Sequence, residues 1–150
     1  MDVTNILAPE HIKVHLDGRD KAGLLRQMAD IVAAAAGVGT DALAAALLKR
    51  EELGSTGVGR GVAIPHTRMP GVARPIAALA ILERPIDFDA IDERPVDIVF
   101  LLVMPDSDTA LAALSAASRV LRQDEVANAL RRAHSAAQAL TALANGTPAS

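Results

Sequence analysis

The chain has 150 residues, 51% of them hydrophobic, a formal net charge of −3, two phenylalanines and no tyrosine, tryptophan or cysteine. That length fits one domain with a core of Leu, Ile, Val and Ala, while the negative charge and scarce aromatics argue against a nucleic-acid partner, which needs a basic footprint and stacking platforms. The missing cysteine removes disulfides, thiolate zinc sites and a thiol nucleophile; with no signal-like start and no apolar run near about 18 residues, the expectation is a cytoplasmic protein without membrane insertion.

After a short opening segment, Ile12-Lys13-Val14-His15-Leu16 alternates as a strand does, and Asp17-Gly18 turns the chain. From Asp20, the residues Leu24, Leu25, Met28, Ile31, Val32 and Ala35 recur at helical spacing until Gly37-Val38-Gly39 ends the helix. A second helix opens on the cap signal Thr40-Asp41 and runs to about Glu52. Leu43, Ala46, Leu47 and Arg50 share one face of it, so the guanidinium stands at the far end of a buried stripe and needs a partner.

The next segment is the most informative. Gly54-Ser55-Thr56-Gly57-Val58-Gly59-Arg60-Gly61 carries four glycines and two hydroxyl residues; it leads into the short strand Val62-Ala63-Ile64, which Pro65 stops directly before His66. A glycine-rich turn lets backbone N–H groups approach an anion, and an imidazole just beyond it can accept or release a phosphoryl group. The chain doubles back from Arg50 to His66, so a fork-shaped cation can meet a phosphorylated ring. The residues thus point to phosphohistidine chemistry, with His66 as acceptor, Arg50 beside it, and Ser55, Thr56 and Gly57 as phosphate-binding candidates.

Beyond a Pro70-Gly71 turn, Ile76 to Leu82 reads as a strand, and Pro85 and Pro95 bracket an irregular acidic connection. Val96 to Met104 is the continuous apolar run of a strand covered on both faces. After Pro105, Asp106 or Ser107 can cap a helix with Leu111, Leu114, Ser118 and Leu121 on one stripe; helical segments follow near 124–133 and 135–144, then a tail from about residue 145 expected to be disordered. Strands interleaved with helices, with no repeat or internal boundary, imply a single α/β domain over residues 1–150.

Other readings of the same residues fail on identity. Gly54 and Gly59 are spaced like a Walker loop, but Arg60-Gly61 stands where Lys and Ser/Thr are required, and a Rossmann fingerprint from Gly57 meets Val62 where it needs glycine. A nucleophile elbow at Ser55 lacks its first glycine, since Leu53 is there. His11 and His15 are four apart, but on a strand they would not stack as zinc ligands do on a helix, and the expectation is a surface pair. His134, beside Arg131 and Arg132 at a helix end, is expected to serve that helix or solvent.

The segments Arg50 to Gly59 and Val62-Ala63-Ile64-Pro65-His66, with Pro85 to Asp92 and Arg94 to Val103, resemble the fructose/mannitol-type IIA proteins of the bacterial phosphotransferase system, and among them most the nitrogen-regulatory branch. The resemblance implies a mixed β-sheet flanked by helices, and a phosphohistidine carrier that takes its phosphoryl group from an HPr-like phosphocarrier of the NPr type. Onward, it implies either regulation of partner proteins by phosphorylation state or delivery to a separate IIB protein in sugar uptake; a binding-only regulator is the third reading. No metal and no cofactor is required. Two departures stand out. Where many relatives carry a second histidine at the start of the helix after the central strand, this chain has Ala110, and Thr67-Arg68 follows the histidine where glycine is common, so that Arg68 is a candidate replacement cation at the phosphate.

Overall fold

A computed structural model describes residues 1–147. Two short 3-10 turns, Val3–Asn5 and Pro9–His11, lead into strand β1 (Ile12–Leu16). Helix α1 (Lys21–Ala36) starts where Asp20 accepts a hydrogen bond from the Gly23 N–H at 2.7 Å, and stops at Gly37, whose φ of 74° is left-handed. Helix α2 (Thr40–Glu52) begins one residue earlier than its cap signal suggests: Gly39 is the N-cap, and the Thr40 hydroxyl donates instead to Asp30 at 3.1 Å.

Strands β2 (Gly57–Gly59) and β3 (Val62–Ala63) form a hairpin whose two-residue turn, Arg60-Gly61, has φ values of 58° and 81°, the left-handed pair such turns require. Pro65 does not end the run. Strand β4 (His66–Arg68) resumes beyond it along the same neighbour, and the Pro65 carbonyl bridges the gap by accepting from the Leu102 N–H at 2.9 Å. Strands β5 (Ile76–Ile86) and β6 (Val96–Met104) follow, β5 running four residues past the expected Leu82. The remaining helices are α3 (Thr109–Leu121), α4 (Asp124–Arg131) and α5 (Ala136–Gly146). Helix α3 starts at Thr109 behind Asp108, which makes no side-chain cap, rather than at Asp106 or Ser107. Helix α5 continues through Asn145 and Gly146, assigned above to the tail, and residues 148–150 lie outside the described residues.

Among the described residues these strands form one mixed six-stranded sheet in the order β1-β5-β6-β3-β2, with β4 beside the far end of β6. Its pairs are parallel for β1–β5, β3–β6 and β4–β6 and antiparallel for β5–β6 and β2–β3. Alternation along the two central strands splits the core in two: Leu79, Phe100, Leu102 and Met104 pack with α3, α4 and α5, whereas Ala78, Ala80, Leu101 and Val103 pack with α1 and α2. Every residue of β6 from Ile98 to Met104 is buried. The fold is a single α/β domain with helices on both faces of the sheet.

Candidate functional site

His66 is the first residue of β4 and pairs with Leu102, on the face covered by α3. Its neighbours Ile64 and Pro65 are buried, while the ring itself is half-buried at the sheet's uncovered end. The ring folds back on its own strand, and Nδ1 lies 2.7 Å from the Ile64 carbonyl oxygen. A carbonyl only accepts, so Nδ1 carries the proton and Nε2 keeps its lone pair. Burial holds the pKa of the ring below its ordinary 6.5, and the nearby Arg50 charge adds to that effect; the Ile64 hydrogen bond and the Glu51 carboxylate pull the other way. The result is a neutral imidazole with a fixed tautomer and one free nitrogen.

That ring opens into a cavity of about 290 Å³ lined by Arg50, His66, Thr67, Arg68, Met104, Ala110, Leu111 and Leu114. The C-terminal turn of α2 delivers Arg50, whose Nη1 donates to the Gly54 carbonyl at 2.9 Å. Arg68, two residues beyond the histidine on β4, also lines the cavity and lies 3.7 Å from Asp106. Two cationic side chains therefore line the cavity that the ring shares. Ala110 lies in the same cavity, and among the described residues no second histidine does.

The structure does not turn the hydroxyls of the glycine-rich loop towards the ring. Ser55 Oγ donates to the Phe88 carbonyl at 2.6 Å and accepts from the Gly57 N–H at 3.0 Å. Thr56 is buried, with its hydroxyl and its N–H both donating to the Glu51 carboxylate. Gly57 is packed so closely on Ala90 that a Cβ there would stand 2.8 Å from that residue's Cβ. None of the three lines the cavity.

Glu51, next to Arg50 at the end of α2, lies on the adjacent, buried face of the helix. Leu43, Leu47 and Glu51 recur every four residues and are all buried, which puts an acid on the apolar stripe. Its partner is Lys21, with Nζ 2.6 Å from Oε2. The stripe expected on α3 also differs: Ala110, Ala113, Ala117, Val120 and Leu121 are buried, whereas Leu111 is 65% exposed and Leu114 half-buried. Those two leucines join the cavity to a second groove of about 490 Å³ that includes Val58, Ile64, Arg119 and Arg122.

None of the other histidines lines this cavity. His15 and His11 form no pair; His15 Nε2 instead meets His134 Nδ1 at 3.3 Å and His15 Nδ1 meets Glu83 at 3.2 Å, so His134 serves neither its helix nor solvent alone. Among the described residues no group of three or more His, Asp or Glu is placed to hold a metal ion, and no helix is long and apolar enough to cross a membrane.

Residues 5–146 match the family described as the phosphoenolpyruvate-dependent sugar phosphotransferase system, EIIA 2. The chain is 40% identical over 146 residues to a nitrogen regulatory protein of Bradyrhizobium diazoefficiens, covering 96% of this chain and 95% of that one. The crystal structure of nitrogen regulatory protein IIA-Ntr from Neisseria meningitidis superimposes with a TM-score of 0.88 at 30% identity, over 94% of this chain and 98% of that one. The fold is shared with the IIA mannitol component of Escherichia coli, solved in complex with phosphorylated IIB, at a TM-score of 0.78 and 17% identity over 92% and 96% of the two chains. This chain belongs to the EIIA type-2 family and is a phosphoryl-transfer component of the phosphotransferase system.

Proposed function

We propose that this protein is a phosphohistidine carrier of the nitrogen-type phosphotransferase system, acting as one EIIA unit in the cytoplasm, that accepts its phosphoryl group on Nε2 of His66. The observation that carries the reading is the 2.7 Å hydrogen bond from Nδ1 to the Ile64 carbonyl, which leaves a neutral, nucleophilic Nε2 on a ring that shares its cavity with Arg50 and Arg68. In the transfer, the Nε2 lone pair forms the new N–P bond as the donor's P–N bond breaks, and that electron pair stays on the donor's imidazole. The proton on Nδ1 does not move. Arg50 and Arg68 offset the charge that spreads over the phosphoryl oxygens, while Ser55, Thr56 and Gly57 support the site by fixing the loop rather than by touching phosphate.

The donor is an HPr-like phosphocarrier of the NPr type. A protein donor suits the exposed Leu111 and the adjoining groove, which offer apolar area beside the ring that a small phosphate ester would not use. The similarity to nitrogen regulatory proteins favours a chain whose phosphorylation state governs its binding to other proteins. Incubation with phosphoenolpyruvate, Enzyme I and the HPr-like protein is expected to give an acid-labile phosphoryl adduct that His66→Ala abolishes; equal labelling of the variant would reject His66 as acceptor. Passage of the label to a separate IIB protein would move the assignment to sugar uptake, and no label on the wild type would leave a binding-only regulator.

A further inference from the structure

The side chain of Glu51 is 4% exposed, the one buried acid among the described residues, and it is ion-paired with Lys21 at 2.6 Å. A buried ion pair is seldom more stable than the apolar pair that could replace it, because both charges lose their water. Its place in the hydrogen-bond pattern supplies a different reason for it. The Glu51 carboxylate accepts from the Thr56 N–H at 3.2 and 3.3 Å, and from the Thr56 hydroxyl. The Thr56 carbonyl accepts from the Ile64 N–H at 3.0 Å, and the Ile64 carbonyl accepts from Nδ1 of His66 at 2.7 Å. At the same helix end, the Glu51 carbonyl accepts from the Gly54 N–H at 3.1 Å, and Gly54 in turn holds the Arg50 guanidinium at 2.9 Å. Lys21 also donates to the Phe88 carbonyl at 3.2 Å, the oxygen that takes the Ser55 hydroxyl.

Building on the carrier reading above, we propose that Glu51, held by Lys21, is a positioning residue for phosphoryl transfer: through Thr56 and Ile64 it fixes the orientation of the His66 ring. The pair touches neither phosphate nor donor. Its charge also reaches the ring, which Glu51 favours in the protonated form against the opposing effects of burial and Arg50.

Glu51→Gln tests this in the full-length protein, since the amide still accepts from Thr56 but cannot pair with Lys21. Initial rates of labelling against HPr-like donor concentration should show kcat falling about tenfold with KM for the donor unchanged, as for a reactive group moved by a fraction of an ångström. Ring-nitrogen NMR of His66 should show the single Nδ1–H tautomer of the wild type giving way to a mixture, with the titration moved to lower pH. Wild-type kcat together with a wild-type tautomer and titration would overturn the proposal and leave Glu51 a loop anchor. The double variant Lys21→Met/Glu51→Gln orphans neither charge; it gives the same readouts if the single variant does not fold. Because the NMR readout needs no donor, a ring that responds in a chain that takes no label would retain the positioning role while rejecting the carrier assignment.

Discussion

His66 owes its reactivity to two atoms of its own segment. The Ile64 carbonyl lies two residues back on the same segment and accepts from Nδ1 at 2.7 Å, so the hydrogen bond that selects the tautomer is itself local. Arg50 differs, since its guanidinium comes from another element and is oriented through Gly54. Arg50→Lys keeps the charge and loses the fork, and labelling is expected to slow roughly tenfold with an unchanged melting temperature; a wild-type rate would exclude a phosphate role. Burial is also the main reason the folded ring titrates below 6.5. An unfolded chain binds that proton first, so the stability linked to this group is complete above the ordinary pKa and is lost as pH falls through the folded one. The acid limb of the labelling rate should therefore have its midpoint below 6.5, which a pH–rate profile of single-turnover labelling would check. At this scale His66, Arg50 and Arg68 were legible as chemistry-bearing types at suggestive spacing. The hydroxyls of Ser55 and Thr56 were not, because their partners, Phe88 and Glu51, are chosen by packing that no local pattern encodes.

The element that sets the site is a strand in two pieces, β3 paired on both sides and β4 on β6 alone. Sequence logic ends it at Pro65, which has no N–H to give, yet in a parallel pair only one of its polar groups is needed here and the carbonyl supplies it. The interruption places His66 beyond the cover of the β2–β3 hairpin while keeping it on β6. That hairpin is seated by contact as well as by hydrogen bonds: at Gly57 an added Cβ would also come within 3.1 Å of the Ala90 Cα. Gly57→Ala should cost about 1–3 kcal/mol, as overpacking does, visible as a lower midpoint in urea unfolding. Helix α3 was the element whose buried face was least legible. Its alanines and leucines leave little contrast around the barrel, so periodicity named Leu111 and Leu114 as core, and the sheet buried the alanines instead. Small residues let the helix approach the sheet closely, and the leucines were left over for the cavity.

Across the whole molecule, alternation on β5 and β6 divides one sheet into two cores, and this much was legible: an uninterrupted apolar run is what a doubly covered central strand requires. The order of strands was not, since local patterns do not say which edge a short strand joins, and β3 and β4 both join β6. The clamp on Nδ1 has one more consequence at this scale. With Nδ1 engaged by the Ile64 carbonyl, whoever gives the phosphoryl group and whoever takes it must use the same nitrogen, each leaving before the other arrives. Donor and acceptor then take turns at that nitrogen, and turnover between them should follow a ping-pong pattern, giving parallel lines in double-reciprocal plots where simultaneous occupancy would make them cross.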